Sequence, residues 1–257
     1  ADDHSSALMR QLFTYRFNAG NGLSGHSFGN LFLTALTEIT GNTATAIEEA
    51  SQILRIRGRV LPVTLSKTTL IAHLVDGSRL IGESSIDQRQ DNPNVAIDYV
   101  ALNPSAYAYP PVLDAISEAD GIVLGPGDIY TSVLPNLLVE DVARAIRDSA
   151  ATKIYVCNLM TKPGESDGFK SSDFTRLICD YLGSNSPLDH VIVNTAPFPE
   201  RVVRKYMTLG QYPVEVDLDE TRNGASNVVQ VPLVSAGIYL RHDPIALAKA
   251  IMAILDN

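Results

Sequence analysis

The sequence has no tryptophan, only two cysteines and no long apolar run. Cys157 and Cys179 lack C-x-x-C spacing and lie in apolar settings, which argues against a disulfide framework and for reduced core thiols. No apolar stretch approaches the roughly 18 residues that a bilayer-spanning helix needs. The start, Ala1-Asp2-Asp3-His4, shows neither the basic segment nor the apolar core of a secretion signal, so the expected location is the cytoplasm. Positive charge is scarce too: 20 Lys and Arg against 29 Asp and Glu leave a net charge of -9. Phosphate-backbone binding loses its usual electrostatic support, and nucleic acid is not expected as a partner. At 257 residues, 45% hydrophobic and 19% charged, the chain has the composition of a folded protein with one large domain or two small ones.

Periodicity separates the chain into two regimes. In the first, Leu8, Leu12, Phe13 and Phe17 recur at helical spacing. After a break at Gly20-Asn21-Gly22, a second helix is expected over 31–39 with Gly41 as its C-cap, and a third over 45–56. Residues 60–64 and 70–75 read as strands, and Asp76-Gly77-Ser78 before Leu80-Ile81 is a hairpin signal, so a small antiparallel element is expected here. The polar loop 88–94 follows. Beyond it, short β-branched strands at 122–124, 154–157 and 191–193 alternate with helices at 139–149 and 172–182. Strands apolar on both faces and joined by helices indicate a parallel sheet covered on each side. A further strand is expected at 229–233. The last helix, 244–255, follows Asp243 as N-cap with proline at its first position.

Chemistry concentrates at the ends of these strands. The first runs into Gly125-Pro126-Gly127, and Tyr130-Thr131-Ser132 follow where a helix can begin. Glycines permit close backbone approach, and helix-start amides with the Thr131 and Ser132 hydroxyls suit an anion such as phosphate. Asp128 would repel that anion unless a cation intervenes or the carboxylate faces a sugar hydroxyl. The second strand ends at Asn158 and leads through Thr161, Lys162 and Glu165, which offer hydrogen bonds and charge. The third ends at Asn194. Such carboxyl ends are where parallel sheets bind ligands. Gly25-His26-Ser27-Phe28-Gly29 matches the hydrolase pattern G-x-S-x-G, but a polar glycine-rich loop precedes it where the nucleophile turn needs a buried strand. Ser27 is therefore read as a helix N-cap, with His26 and Asn30 beside it. The remaining histidines show no metal-ligand spacing, so no metal site is expected. Arg201, Arg204 and Lys205 form a basic helical face near Tyr206, and Arg241 stands before the last helix, where it can clamp a phosphate.

Taken together, GHSFGNLFLTALTEITG (25–41), VLPVT (60–64), LVDGSRLIGES (74–84), ADGIVLGPGDIYTSVLPNLLV (119–139), KIYVCNLMTKPGES (153–166), VIVN (191–194) and LRHDP (240–244) resemble the YvcK-like gluconeogenesis factors. These lie within the wider superfamily of the 2-phospho-L-lactate transferase CofD. The resemblance implies a Rossmann-like three-layer α/β/α sandwich with a mostly parallel sheet. It also implies a nucleotide ligand, a UDP-sugar such as UDP-N-acetylglucosamine, and control of central carbon metabolism, cell shape and cell-wall synthesis. Residue by residue, Gly125, Gly127, Thr131 and Ser132 fall in the family's phosphate-side loop, and Asn158, Thr161 and Glu165 in its second ligand loop. His26 and Asn30 fall in the helix-start motif, Arg241 matches an arginine implicated in UDP-sugar binding, and Tyr206 is a candidate for stacking on the base. No catalytic residue is assigned, and a regulator is expected. The alternative is a CofD-type transferase, using Mg2+, that moves a 2-phospholactyl group from a nucleotide donor to a deazaflavin acceptor. Self-association is left open. Family members begin with a strand, a G-G-G-T-G loop and an Asp-Asp-Gly-Gly segment that this sequence does not contain. The expectation is thus a single CofD-like domain over 1–257 without that segment.

Overall fold

The computed structural model describes residues 8–9, 11–19, 22–89, 94–183, 188–235, 237 and 239–256. The Gly20-Asn21 break and the middle of the polar loop, 90–93, lie outside the described residues. The chain divides into two compact units, Ala1–Leu65 and Ser66–Asn257.

The first unit is helical. Helix α1 (Phe28–Thr40) starts at Ser27, whose Oγ accepts the Asn30 amide at 3.2 Å, and stops at Gly41, whose left-handed φ of 71° lets its amide reach Thr37 O. The Ser27 hydroxyl is therefore a helix cap, as its sequence context implies. Helix α2 (Thr43–Ile53) is capped by Asn42, which accepts from the amides of Ala44 and Thr45, and it buries Ala44, Ala46 and Ala50. The strand expected at 60–64 is not formed; this segment is irregular. Pro62 offers no amide to a ladder, which is a physical reason for the difference.

The second unit holds two sheets. Strands β1 (Thr69–Leu74), β2 (Arg79–Ile81) and β3 (Ile97–Asn103) make an antiparallel sheet in the order β2-β1-β3. The hairpin forms where Asp76-Gly77-Ser78 marks it, with Asp76 Oδ1 accepting the Ser78 amide and hydroxyl at 2.9 and 2.6 Å. The small sheet thus exists as expected, but its third strand is β3 rather than 60–64. Short helices α3 (Glu83–Asp87) and α4 (Pro110–Ser117) flank β3 in sequence.

The larger sheet is parallel throughout, in the order β4-β5-β6-β7, with β4 Gly121–Leu124, β5 Thr152–Val156, β6 Leu188–Asn194 and β7 Ala225–Val231. Between β4 and β5 lie a π-helix (Ile129–Val133), α5 (Leu134–Leu137) and α6 (Val142–Asp148). Helix α7 (Ser171–Leu182) follows β5, α8 (Glu200–Met207) and α9 (Leu218–Thr221) follow β6, and α10 (Pro244–Leu255) follows β7. Ile154, Val156, Ile192 and Leu233 form a buried cluster against which Ala246, Leu247, Ala250, Ile251, Ile254 and Leu255 of α10 pack. Tyr155, Val191 and Val193 alternate to the other face and are equally buried, on the side where α7 meets β6. The result is the expected α/β sandwich with a small antiparallel element. No helix among the described residues is long and apolar enough to cross a membrane.

The start of α7 shows how sequence-distant polar groups hold this unit. Asp217 accepts the Ser172 amide (2.9 Å), the Ser172 hydroxyl (2.6 Å) and the Ser171 hydroxyl (2.9 Å), capping the helix from 45 residues away. Partial burial pushes the Asp217 carboxyl up, but the bonds from Ser172 and Ser171 outweigh it and hold the carboxyl below its ordinary value. A depressed carboxyl favours the fold above its unfolded value, about pH 4, and that contribution disappears as pH falls through the lower folded value. Asp217→Ala is expected to cost about 1 kcal/mol at neutral pH, the usual size of a lost cap. Urea unfolding from neutral to acid pH should show the gap between variant and wild type narrowing toward the acid end; a gap independent of pH would disprove the capping role.

Candidate functional site

The carboxyl ends of β4 and β5 carry the loops singled out by sequence, and the side chains between them knit the loops together. Asn158 Nδ2 donates to Gly127 O at 2.7 Å, joining the end of β5 to the glycine loop after β4. His242 Nε2 meets Cys157 O at 3.1 Å, which ties the segment before α10 to the same strand end. Burial lowers the pKa of its ring more than the Cys157 contact raises it, so the ring stands below its ordinary value. Thr161 is buried and fully engaged with residue 212: its amide donates to Tyr212 O at 2.7 Å and its Oγ1 accepts the Tyr212 amide at 3.0 Å.

At the centre is Glu165, whose side chain has no exposed surface. Its Oε2 accepts the Tyr130 amide at 3.3 Å and its Oε1 the Thr131 hydroxyl at 3.4 Å, with Lys162 Nζ at 2.9 Å. Lys162 Nζ also donates to Asp128 Oδ2 at 2.6 Å and to Asp87 Oδ1, the last residue of α3. The turn that presents these groups needs Gly164. Its φ is +77°, and a Cβ there would lie 2.7 Å from the Arg89 side chain, whose guanidinium donates to Gly164 O.

Burial pushes the Glu165 carboxyl up, and the bond to Lys162 only partly restores it, so it stands above its ordinary value. For Lys162 burial acts downward, but the bonds to Asp128, Asp87 and Glu165 prevail and raise it. The two directions agree physically: one cation among three anions is stabilised, while the most buried anion shares that cation with two rivals. Tyr130 is core rather than ligand-facing, with burial lifting its hydroxyl to about 12.

Beside this cluster, Gly125, Gly127, Ser132 and Asn136 join Val123, Leu124 and Leu137 around a cavity of about 350 Å³. Gly125 and Ser132 are exposed at its rim. Asn194, at the end of β6, turns inward instead: its Oδ1 accepts the amides of Ala196 (3.0 Å) and Leu233 (2.9 Å), and its Nδ2 donates to Ala196 O. Tyr206 accepts the Leu240 amide at 3.2 Å through its hydroxyl, and Arg241 lies 5.8 Å from the Tyr239 ring, which Lys205 also approaches at 5.9 Å. His26 and Asn30 belong to the first unit, where both are exposed at the start of α1. Of the sequence candidates, then, Asn158 bonds Gly127, Tyr130 and Thr131 bond Glu165, and Asp128 is joined to Glu165 through Lys162. Asp87 escaped the sequence reading because it lies 75 residues from Lys162 on an unremarkable short helix.

The family profile described as "2-phospho-L-lactate transferase CofD" matches residues 1–234. The chain belongs to the CofD family. Within it, the chain is 40% identical over 247 residues to the "Gluconeogenesis factor" of Halalkalibacterium halodurans, covering 95% of this chain and 75% of that protein. It is 36% identical over 252 residues to the "Gluconeogenesis factor" of Bacillus subtilis, covering 97% and 78%. A relative from Nostoc sp. is 43% identical over 249 residues; there the chain spans 54% of the relative's length. A crystal structure of a Bacillus halodurans protein superposes with a TM-score of 0.88 at 40% identity, covering 95% of this chain and 78% of that one. This CofD-family chain is thus similar in sequence to the gluconeogenesis factors and in fold to the Bacillus halodurans protein.

Proposed function

We propose that this chain is a nucleotide-sugar-binding regulator, with UDP-N-acetylglucosamine as the model ligand, acting in the cytoplasm on central carbon metabolism, cell shape and cell-wall synthesis. The observation that carries the reading is the knitting of the strand-end loops. Asn158 and His242 join three chain segments at one end of the parallel sheet, beside a cavity edged by Gly125, Gly127 and Ser132. Charge orients the ligand. The Lys162 cluster sets one positive charge against three negative ones, so a phosphate belongs on the Gly125–Ser132 side, and Arg241 supplies the countercharge. Asp128, engaged by Lys162, no longer opposes an anion with an unshared charge.

Calorimetric titration with UDP-N-acetylglucosamine tests the reading, and saturable binding is expected. Arg241→Ala should weaken it by about 10- to 100-fold, the loss of one charge-assisted contact. No heat and no thermal shift at about millimolar ligand, a binding free energy near -4 kcal/mol, would overturn the reading. The family description, a 2-phospho-L-lactate transferase, supports a second reading, phospholactyl transfer, for which the sequence resemblance implies a nucleotide donor, a deazaflavin acceptor and Mg2+. Product found by mass spectrometry after incubation with both substrates would establish it in place of the first.

A further inference from the structure

A lysine ammonium has three N–H donors and accepts nothing. Lys162 directs them at three carboxylates from three segments: Asp87 at the end of α3, Asp128 after β4 at 2.6 Å, and Glu165 in its own turn at 2.9 Å. No donor remains for a ligand phosphate. The ligating atoms of Asp87, Asp128 and Glu165 lie within 4.8 Å of one another, the convergence of oxygens that a hard divalent cation takes. Yet Mg2+ does not fit these residues as they stand. An ion at about 2.0–2.6 Å from those oxygens would claim the volume of Lys162 Nζ and set two positive charges against a third at contact.

We propose that Lys162 is a tethered replacement for a divalent cation: it holds the three carboxylates together and makes both folding and ligand binding at this site independent of metal. The statement about ligand rests on the nucleotide-sugar reading, whereas the statement about the carboxylates does not. Three observations favour this role over that of a surface ion pair. The lysine side chain is only 15% exposed, one partner is fully buried, and the three partners come from three different segments. Its removal therefore leaves three converging anions with no counter-ion, and a divalent cation becomes the group that fits.

The test uses Mn2+ as the probe and the whole chain as the protein. Uptake is followed by electron paramagnetic resonance and unfolding by heat, for wild type, Lys162→Met and Lys162→Met/Glu165→Gln. Wild type is expected to leave the free Mn2+ signal unchanged and to unfold at the same temperature in EDTA and in Mn2+. Lys162→Met is expected to take up one Mn2+ per chain, about tenfold or more tightly than wild type, and to be stabilised by it, since affinity follows the charge count of the ligands. The double variant should lose that uptake. Stoichiometric Mn2+ binding by wild type that disappears in Glu165→Gln would overturn the proposal, and so would a folded Lys162→Met that ignores Mn2+. If Lys162→Met unfolds in EDTA, the proposal requires Mn2+ to restore its fold, and failure to do so also counts against it. Wild-type titrations with UDP-N-acetylglucosamine in EDTA and in Mg2+ should coincide. No binding in either would remove the ligand reading while leaving the Mn2+ result intact, whereas binding only in Mg2+ would overturn metal independence itself.

Discussion

Glu165→Ala is expected to lower the unfolding free energy by about 3 kcal/mol, near the lower end of what breaking a buried charged pair costs. The lower end applies because Lys162 keeps Asp87 and Asp128 as partners. The loss has three parts: the buried Tyr130 amide is left without an acceptor, the Thr131 hydroxyl loses its partner, and a cavity opens where the carboxylate stood. Urea unfolding measures the total, and hydrogen exchange at the Tyr130 amide locates it, because that amide should exchange faster while the β5 and β6 amides change only with global stability. Glu165→Gln keeps an acceptor for Tyr130 and should cost less. The pH dependence also differs in sign from that of Asp217. A carboxyl raised in the fold binds its proton more tightly there than in the unfolded chain, so its contribution falls as pH rises from the unfolded value near 4.3 through the folded value. Glu165→Gln should remove that decline. An unchanged stability in Glu165→Ala would show that the strand-end loops hold together without it.

Phe174→Ala is expected to cost about 4 kcal/mol, in the range for deleting a fully buried aromatic side chain. Phe174 on α7 has no exposed surface, and its ring meets that of Phe169 edge-on, with centroids 5.3 Å apart. Phe174→Leu keeps most of the volume and should cost about 1–1.5 kcal/mol. Urea midpoints measure both. Because Phe174 is a core residue whose ring contact is with Phe169, the surviving folded fraction should bind UDP-N-acetylglucosamine as wild type does. A loss of affinity without a loss of stability would instead place α7 within the ligand site.

How much was legible differs by element. The parallel strands were readable because β4, β5 and β6 contain short β-branched apolar runs that give way to a glycine turn or an asparagine, and α10 because Asp243 caps it, accepting the amides of Ile245 and Ala246 at 2.9 Å. The hairpin was readable from Asp76-Gly77-Ser78. The segment 60–64 misled because VLPVT has the residue types of a strand while Pro62 breaks the ladder. Strand β3 escaped because only its tertiary neighbour β1 completes the pattern, with Leu70, Ala72 and Leu74 buried opposite its own Ile97 and Val100. At the site, the glycines, Asn158 and Glu165 were legible as polar strand ends, but their roles were not. Asn158 binds the neighbouring loop, and Asn194 and Thr161 turn their polar groups onto backbone.

Local pattern by itself determined the parallel strands, the hairpin, the helices that follow β5 and β7, and that polar groups gather at the carboxyl ends of a parallel sheet, because these depend on periodicity and on caps within a few residues. Only the tertiary structure decided what those polar groups do. The meeting of Asp87 with Lys162 across 75 residues, and the capping of α7 by Asp217 across 45, depend on which buried donor finds which acceptor once the chain is packed. Burial raises the cost of every unpartnered polar atom, so packing rather than sequence spacing assigns the partners.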